Sequence, residues 1–450
     1  MMKIKLPESV TTIIHRLEAN GHEAYAVGGC VRDSVMGNIP ADWDITTSAK
    51  PAEVKAIFDK TIDTGIEHGT VTVRLNKENF EITTYRIDGE YLDSRHPQEV
   101  TYTTDLLEDL RRRDFTMNAM AYNDTVGMVD AFGGMEDIKN HVIRCVGIPQ
   151  ERFSEDALRM LRAVRFAAQL DFELEQKTFE AIRELSHTLV AVSQERIQVE
   201  FVKLLVSQHP GKMQLAYESG LTAVFFPEWD AMVQTPQNNI HHMYNVAEHT
   251  IRVLYEVPPQ KGLRLAALLH DVAKPLTKKT DQQGRDHFVG HPSLGATMSK
   301  EILRRLKFDN ATIAYVSNLV CYHDDRIACN KRNTRREIAQ VGLRVYPDLL
   351  VLRRADILGQ SMHQRLDKLE RVACQQQFYQ EIVDEEECVT VKDLAVNGRE
   401  LLAIGIKQGP AIGAIMQKLL HEVVDEPKKN QKNVLLAEAE EMYQQMGEKP

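Results

Sequence analysis

The stretch Gly28-Gly29-Cys30-Val31-Arg32-Asp33, followed by Asp42-Trp43-Asp44, decides how this chain is read. Residues 24–27 read as a short strand, the glycine pair as a tight turn and residues 31–36 as a short helix. With no Cβ in the way, such a turn lets backbone N–H groups approach a phosphate. Asp42-Trp43-Asp44-Ile45 then reads as a strand, on which residues two apart project from one face. Asp42 and Asp44 would therefore point into one site beside the phosphate cradle. Paired acidic oxygens in that setting suit Mg²⁺ and in-line phosphoryl or nucleotidyl transfer. A solvated strand edge is the competing reading of an Asp-x-Asp triplet, and the adjoining glycine turn favours the metal.

Downstream, Val71, Val73 and Leu75 alternate with polar residues, Asn76-Lys77-Glu78-Asn79 reads as a turn, and Phe80, Ile82 and Thr84 alternate again. This is a hairpin pattern, with Glu81 mid-strand on the face opposite Phe80 and Ile82. Glu81 either completes the carboxylate site or is an exposed strand residue. In Arg111-Arg112-Arg113-Asp114-Phe115-Thr116-Met117-Asn118-Ala119-Met120-Ala121, arginines abut an apolar segment that carries Asp114 and Asn118. That arrangement suggests anchored polar groups near a triphosphate or sugar. In Glu155-Asp156-Ala157-Leu158-Arg159-Met160-Leu161-Arg162-Ala163-Val164-Arg165, a helix would carry Asp156, Arg159, Arg162 and Arg165 around one face. Leu158, Leu161 and Val164 would pack it down from an adjacent stripe. An aspartate acceptor beside an arginine fork can pair with the Watson–Crick edge of a base. An ordinary amphipathic helix with intrahelical ion pairs is the alternative.

Together the glycine turn, the Asp-x-Asp triplet and the RRDFTMNAMA segment resemble the class II tRNA nucleotidyltransferases, the CCA-adding enzymes and bacterial poly(A) polymerases of the polymerase-beta-like superfamily. The resemblance implies that Asp42 and Asp44 form a catalytic Mg²⁺ site, with Glu81 a further candidate catalytic residue from its place on the hairpin. It assigns Gly28, Gly29, Arg32, Arg113, Asp114 and Asn118 to nucleotide binding. It further implies that Asp156 and Arg159 select C and then A, while Arg162 and Arg165 bind the triphosphate. The polar, glycine-bearing segment 88–97 reads as a mobile loop and resembles one found in CCA-adding relatives but not in CC-only ones. His96 there stands where relatives often carry Arg, which makes the local charge pH-dependent.

A second constellation spans 240–360. The apolar run Leu265-Ala266-Ala267-Leu268-Leu269 ends in His270-Asp271, with His249 upstream and His291, His323 and Asp356 downstream. This order resembles HD phosphohydrolases, which implies that His249, His270, Asp271 and Asp356 are ligands of a second divalent metal, a transition metal or Mg²⁺. His291 and His323 could orient a phosphate or a further metal. Domains of this type can also be degenerate and purely structural.

The chain has 450 residues, of which 43% are hydrophobic and 27% charged, as in ordinary globular protein with several cores. Its opening residues carry no apolar run and no stretch approaches a membrane span, so a cytoplasmic location is the expectation. The cysteines are scattered without CxxC spacing, so reduced core thiols are expected rather than disulfides or zinc. A net charge of −10 argues against indiscriminate nucleic-acid binding; RNA would be held by local patches such as Lys331-Arg332 with Arg335-Arg336, or Lys428-Lys429 with Lys432.

The expected fold is α+β: a nucleotidyltransferase α/β head (1–145), a helical neck (146–235), an HD domain (236–360) and a helical tail (361–450). The expected reaction is template-independent addition of C, C and A to a tRNA 3′ end from CTP and ATP. No membrane partner is expected, and the chain would act as a monomer or homodimer. Three alternatives stay open: an A-adding enzyme, a poly(A) polymerase, or mainly an HD phosphohydrolase acting on RNA ends. The basic tails usual in the polymerases are absent at a pI near 5.9.

Overall fold

Residues 3–66, 69–88, 100–241, 243–325 and 327–447 are described by a computed structural model. The chain divides into two compact units, 1–227 and 228–450.

The first unit opens with α1 (Glu8–Ala19), which buries Val10, Ile13, Ile14 and Leu17 at helical spacing. β1 (Ala24–Val27), α2 (Gly29–Val35), β2 (Ile45–Thr47), α3 (Pro51–Ile57), β3 (Thr61–Gly65), β4 (Thr70–Leu75) and β5 (Glu78–Thr84) follow. After β6 (Arg86–Asp88), β7 (Val100–Tyr102) and α4 (Leu106–Arg111) come β8 (Ala121–Asn123), β9 (Gly127–Val129) and α5 (Gly134–Lys139). The main sheet has seven strands in the order β3-β4-β5-β2-β1-β8-β9. Its pairings are antiparallel except β2 with β5, which run parallel. The hairpin forms as read, with Val73 opposite Phe80 and Val71 opposite Ile82. Its turn is tighter than read: Asn76 and Lys77 alone take positive φ, 52° and 70°, as a two-residue hairpin turn requires.

The strand expected at 42–45 is a correction: β2 begins at Ile45, and Asp42 and Asp44 lie just ahead of it. Pairing stops there because β1 ends at Val27 and Gly28 turns the chain away; the last bond runs from Val27 N–H to Asp44 O at 3.0 Å. The segment 89–97, with His96, lies outside the described residues.

β10 (Val142–Ile143) pairs with β11 (Glu173–Leu174) around α6 (Pro149–Glu155) and α7 (Leu158–Leu170), and α8 (Gln176–Leu185) and α9 (Gln194–Leu205) follow. Leu158, Leu161 and Val164 are buried beneath α7, as expected from their stripe. Asp156 is a further correction, because it sits between the helices with extended backbone rather than on the helix with Arg159. Its side chain accepts the Leu158 N–H at 3.1 Å, at the break between α6 and α7.

The second unit is helical. Helices Val246–Glu256, Lys261–Leu269, His291–Arg305, Asn310–Tyr322 and Tyr346–Gly359 enclose a set of histidines, and Arg365–Asp384 follows. Leu401, Ile415, Leu419, Val423, Leu435 and Ala439 form a separate apolar core toward the C-terminus. Among the described residues no helix is long and apolar enough to cross a membrane. A disulfide joins Cys329 to Cys374, against the expectation of reduced thiols. The two are 45 residues apart in sequence and meet only because Arg365–Asp384 lays Cys374 against the loop that follows Asn310–Tyr322.

Candidate active site

In the first unit the site is built on the sheet. Continuing the parallel register Ile45↔Ile82 one residue back sets Asp44 beside Glu81, on the face opposite buried Phe80 and Ile82. Asp42, Asp44 and Glu81 are all exposed. The Asp44 carboxyl is raised from its ordinary range: loss of surrounding water raises it, Arg113 opposes, and the negative charges of Glu81 and Asp42 add to the rise. Neighbouring carboxylates on an open face are the ligand type a hard divalent cation takes.

The glycine turn meets this face. Gly28 has φ 82°, and a Cβ there would lie 3.1 Å from Arg113 Nη1, so the turn and the guanidinium are in close contact. Arg113 is held by buried Asp109, which also accepts from Thr46 Oγ1 (3.1 Å) and from Arg112 Nε (2.9 Å). Arg32 donates to Asp33 (2.8 Å) and to Asn118 Oδ1 (2.9 Å), and Asn118 donates to Asp114 Oδ1 (3.2 Å). Asp114 in turn receives Arg162 through Nε (2.9 Å) and Nη2 (2.6 Å) on one oxygen. Burial alone would raise the Asp114 carboxyl, but Arg162 and Asn118 hold it down to about 2.

The expected base-reading pair lies close by. Asp156 accepts Arg196 Nη2 at 2.7 Å, and Arg159 donates to Glu155 at 2.5 Å and to Arg112 O at 3.2 Å. Arg165 is turned inward: it is buried, bonded to Glu200 at 2.7 Å, and stacked 3.5 Å over the Phe166 ring. Arg32 and Arg162 flank the same ring at 5.2 and 5.5 Å. Sequence reading passed over Asp109, Phe166, Arg196 and Glu200. Their only signal was an acid four residues before Arg113 and an Arg-x-x-x-Glu spacing on α9, both common on any helix.

In the second unit His249, His270, Asp271, His291, His323 and Asp356 come together. His249 Nε2 lies 2.9 Å from Asp356 and 3.5 Å from Asp271, and His270 Nε2 lies 3.1 Å from Asp271. The other Asp271 oxygen is 3.4 Å from His291 Nε2 and 3.8 Å from His323 Nε2. The Nδ1 atoms of His270, His291 and His323 each face a backbone carbonyl at 2.7 Å, of Ala267, Phe288 and Val320. An Nδ1–H donating to each carbonyl fixes the ring and turns its Nε2 toward Asp271. This donor chemistry fits a divalent metal. Asp271 and Asp356 are held well below the carboxylate range: burial opposes, and neighbouring His270 and His249 respectively outweigh it. A cavity of about 890 Å³ opens on Asp271, His291, His323 and Asp356, with Lys274 and Lys368 in its wall.

Several residues of the expected RNA patches have acidic partners within the second unit. Arg332 and Arg336 share Asp425 (2.9 and 2.5 Å), Arg335 pairs with Glu387 (2.9 Å), and Lys432 pairs with Glu400 (2.6 Å).

A mixed sheet with clustered carboxylates beside a glycine turn, followed by helices, defines a nucleotidyltransferase of the polymerase head type. Residues 24–144 match the family "Poly A polymerase head domain", 171–233 match "Probable RNA and SrmB- binding site of polymerase A", and 291–439 match tRNA nucleotidyltransferase domain 2. The CCA-adding enzyme of Limosilactobacillus fermentum is 36% identical over 97% of this chain and 97% of its own length. That of Pediococcus pentosaceus is 34% identical over 95% and 96%. The crystal structure of the Bacillus stearothermophilus CCA-adding enzyme in complex with CTP superposes with a TM-score of 0.72 at 29% identity, covering 99% of each chain. The chain belongs to the CCA-adding enzymes, the tRNA nucleotidyltransferases. The head model is shared with poly(A) polymerases, but the near-full-length likeness is to enzymes that add CCA.

Proposed function

We propose that this enzyme adds C, C and A in turn to a tRNA 3′ end, taking CTP and ATP, at the face formed by Asp42, Asp44 and Glu81. The observation that carries this reading is the parallel β2–β5 register, which sets Asp44 beside Glu81 next to the Gly28 turn. Asp42 and Asp44 would hold Mg²⁺, which supplies charge neutralisation at the triphosphate and activation of the 3′-hydroxyl when bound. Glu81 adds negative charge to that face. Gly28 and Gly29 leave room for phosphate at the turn, and Arg32 and Arg113, each fixed by a partner, bring positive charge to it. Asp156 and Arg159 read the base edge, and Arg162 reaches the nucleotide from α7. Arg165 acts from the core, by fixing α7, rather than at the ligand.

The division into head (1–145), neck (146–235), histidine-bearing domain (236–360) and tail (361–450) accompanies this reading, as does a cytoplasmic monomer or homodimer. A second reading applies to the second unit: the Nε2 atoms gathered around Asp271 support an HD-type metal centre that would hydrolyse phosphate esters on RNA ends, beside the main activity.

The deciding experiment uses one tRNA transcript ending before CCA, and matched transcripts ending in C and CC, each with CTP, ATP or both and Mg²⁺. Addition that stops after CCA is the expected result. A-addition confined to the CC-ended transcript, or long A ladders, would overturn it.

A further inference from the structure

Glu200 is a buried carboxylate on α9 with two arginine partners, 2.7 Å from Arg165 Nε and 3.5 Å from Arg162 Nη1. Three guanidiniums, of Arg32, Arg162 and Arg165, surround Phe166, and they differ in what they can reach. The Arg165 and Arg32 side chains are 8% and 11% exposed, whereas that of Arg162 is 33% exposed. Arg162 is therefore the most exposed member of this cluster. One edge of it, Nε and Nη2, is committed to Asp114. A guanidinium held by one edge still pivots about that edge, and its free nitrogen has no fixed direction. Glu200 supplies the second point, at Nη1, from a different helix.

We propose that Glu200 is a positioning residue for nucleotide addition: it fixes the direction in which Arg162 offers its remaining donors to the incoming nucleoside triphosphate. The proposal rests on the reading of Arg162 as a nucleotide contact. A donor fork set before binding loses less freedom when the ligand arrives, so its removal is felt in nucleotide affinity. The competing role for Glu200 is simply to neutralise buried Arg165.

Two variants separate these roles. Glu200→Asp keeps a charge for Arg165 but draws the carboxylate back by one methylene, away from Arg162. Glu200→Gln combined with Arg165→Met removes both members of the buried pair, so no unpaired charge is left in the core. CTP and ATP incorporation is measured for both on the CCA-lacking transcripts, below the measured Tm of each variant. The expected result is a KM for nucleotide raised about ten-fold in each, with kcat changed less. A KM within two-fold of the unaltered enzyme in either folded variant overturns the proposal. Should the double variant fail to fold, Glu200→Asp alone decides. Arg162→Ala is run alongside. An unchanged KM there removes the nucleotide contact itself, whereas a raised KM there with a normal KM in the Glu200 variants removes only the part assigned to Glu200.

Discussion

Asp114 accepts on both oxygens, from Arg162 on one and from Phe115 N–H and Asn118 on the other, and its carboxyl near 2 records that burial loses to these partners. A carboxyl depressed in the folded state contributes stability above its unfolded value near 3.9, and loses it as pH falls toward about 2. Arg162→Ala should therefore cost roughly 2 kcal/mol at pH 7, a figure kept low because Arg162 is partly exposed. The gap between variant and unaltered protein should close in urea melts taken from pH 4 down to pH 2; a gap that persists there would refute the pairing. Asp42 and Asp44 belong to the same scale but to chemistry rather than stability, because both are exposed. Asp42→Ala should lower incorporation by a factor of about 10³ or more while tRNA affinity, read by filter binding, stays within a few-fold. Residual incorporation near the normal rate would remove Asp42 from the metal site.

Elements governed by a simple period were legible before any coordinates: the four residues of β1, the hairpin and the apolar underside of α7 lie where alternation and helical spacing put them. Elements whose limits depend on a partner far away were not. Nothing local shows that β1 runs out opposite Asp44, so the carboxylates were read inside the strand they precede. Asp156 illustrates the same limit: a helix through it satisfies the spacing, but its side chain caps α7 and accepts Arg196 from α9. Asp156→Ala should thus lose about 1 kcal/mol of cap as well as corrupt base choice. Asp156→Asn should keep the bond to Leu158 N–H while removing the charge from the Arg196 pair, so its loss of stability should be the smaller; a thermal melt beside a C-versus-A competition assay reads both. The cysteine pairing escaped for the same reason, since spacing along the chain says nothing about Cys374 meeting Cys329. Alkylation of the unreduced protein should label Cys30, Cys145, Cys321 and Cys388 under denaturant, and reduction should add the other two; labelling of all six without reductant would refute the bond.

Among the described residues, two groups lie close enough to hold a metal ion, both in the second unit and sharing Asp271, while the β2–β5 register sets Asp44 beside Glu81 in the first. The histidine set was visible in the sequence as an order of residues, but not its convergence on the two oxygens of Asp271. If that set works on RNA ends, phosphate release from a 3′-phosphorylated RNA should survive Asp42→Ala and vanish in His270→Ala; release lost in the first and kept in the second would reverse the assignment. The acidic balance of −10 is likewise a molecular property: Arg332, Arg335 and Lys432 of the second unit each have an acidic partner, so any phosphate contact there competes with an internal pair. The parallel join of β2 to β5 carries a consequence in time. Parallel neighbours cannot zip from a turn, and β2 and β5 are joined through α3, β3 and β4, so their pairing closes a long stretch of chain. Until the strands pair, Asp44 and Glu81 are strangers, so during refolding the return of catalysis should trail the return of helix signal and act as a clock for that one late encounter.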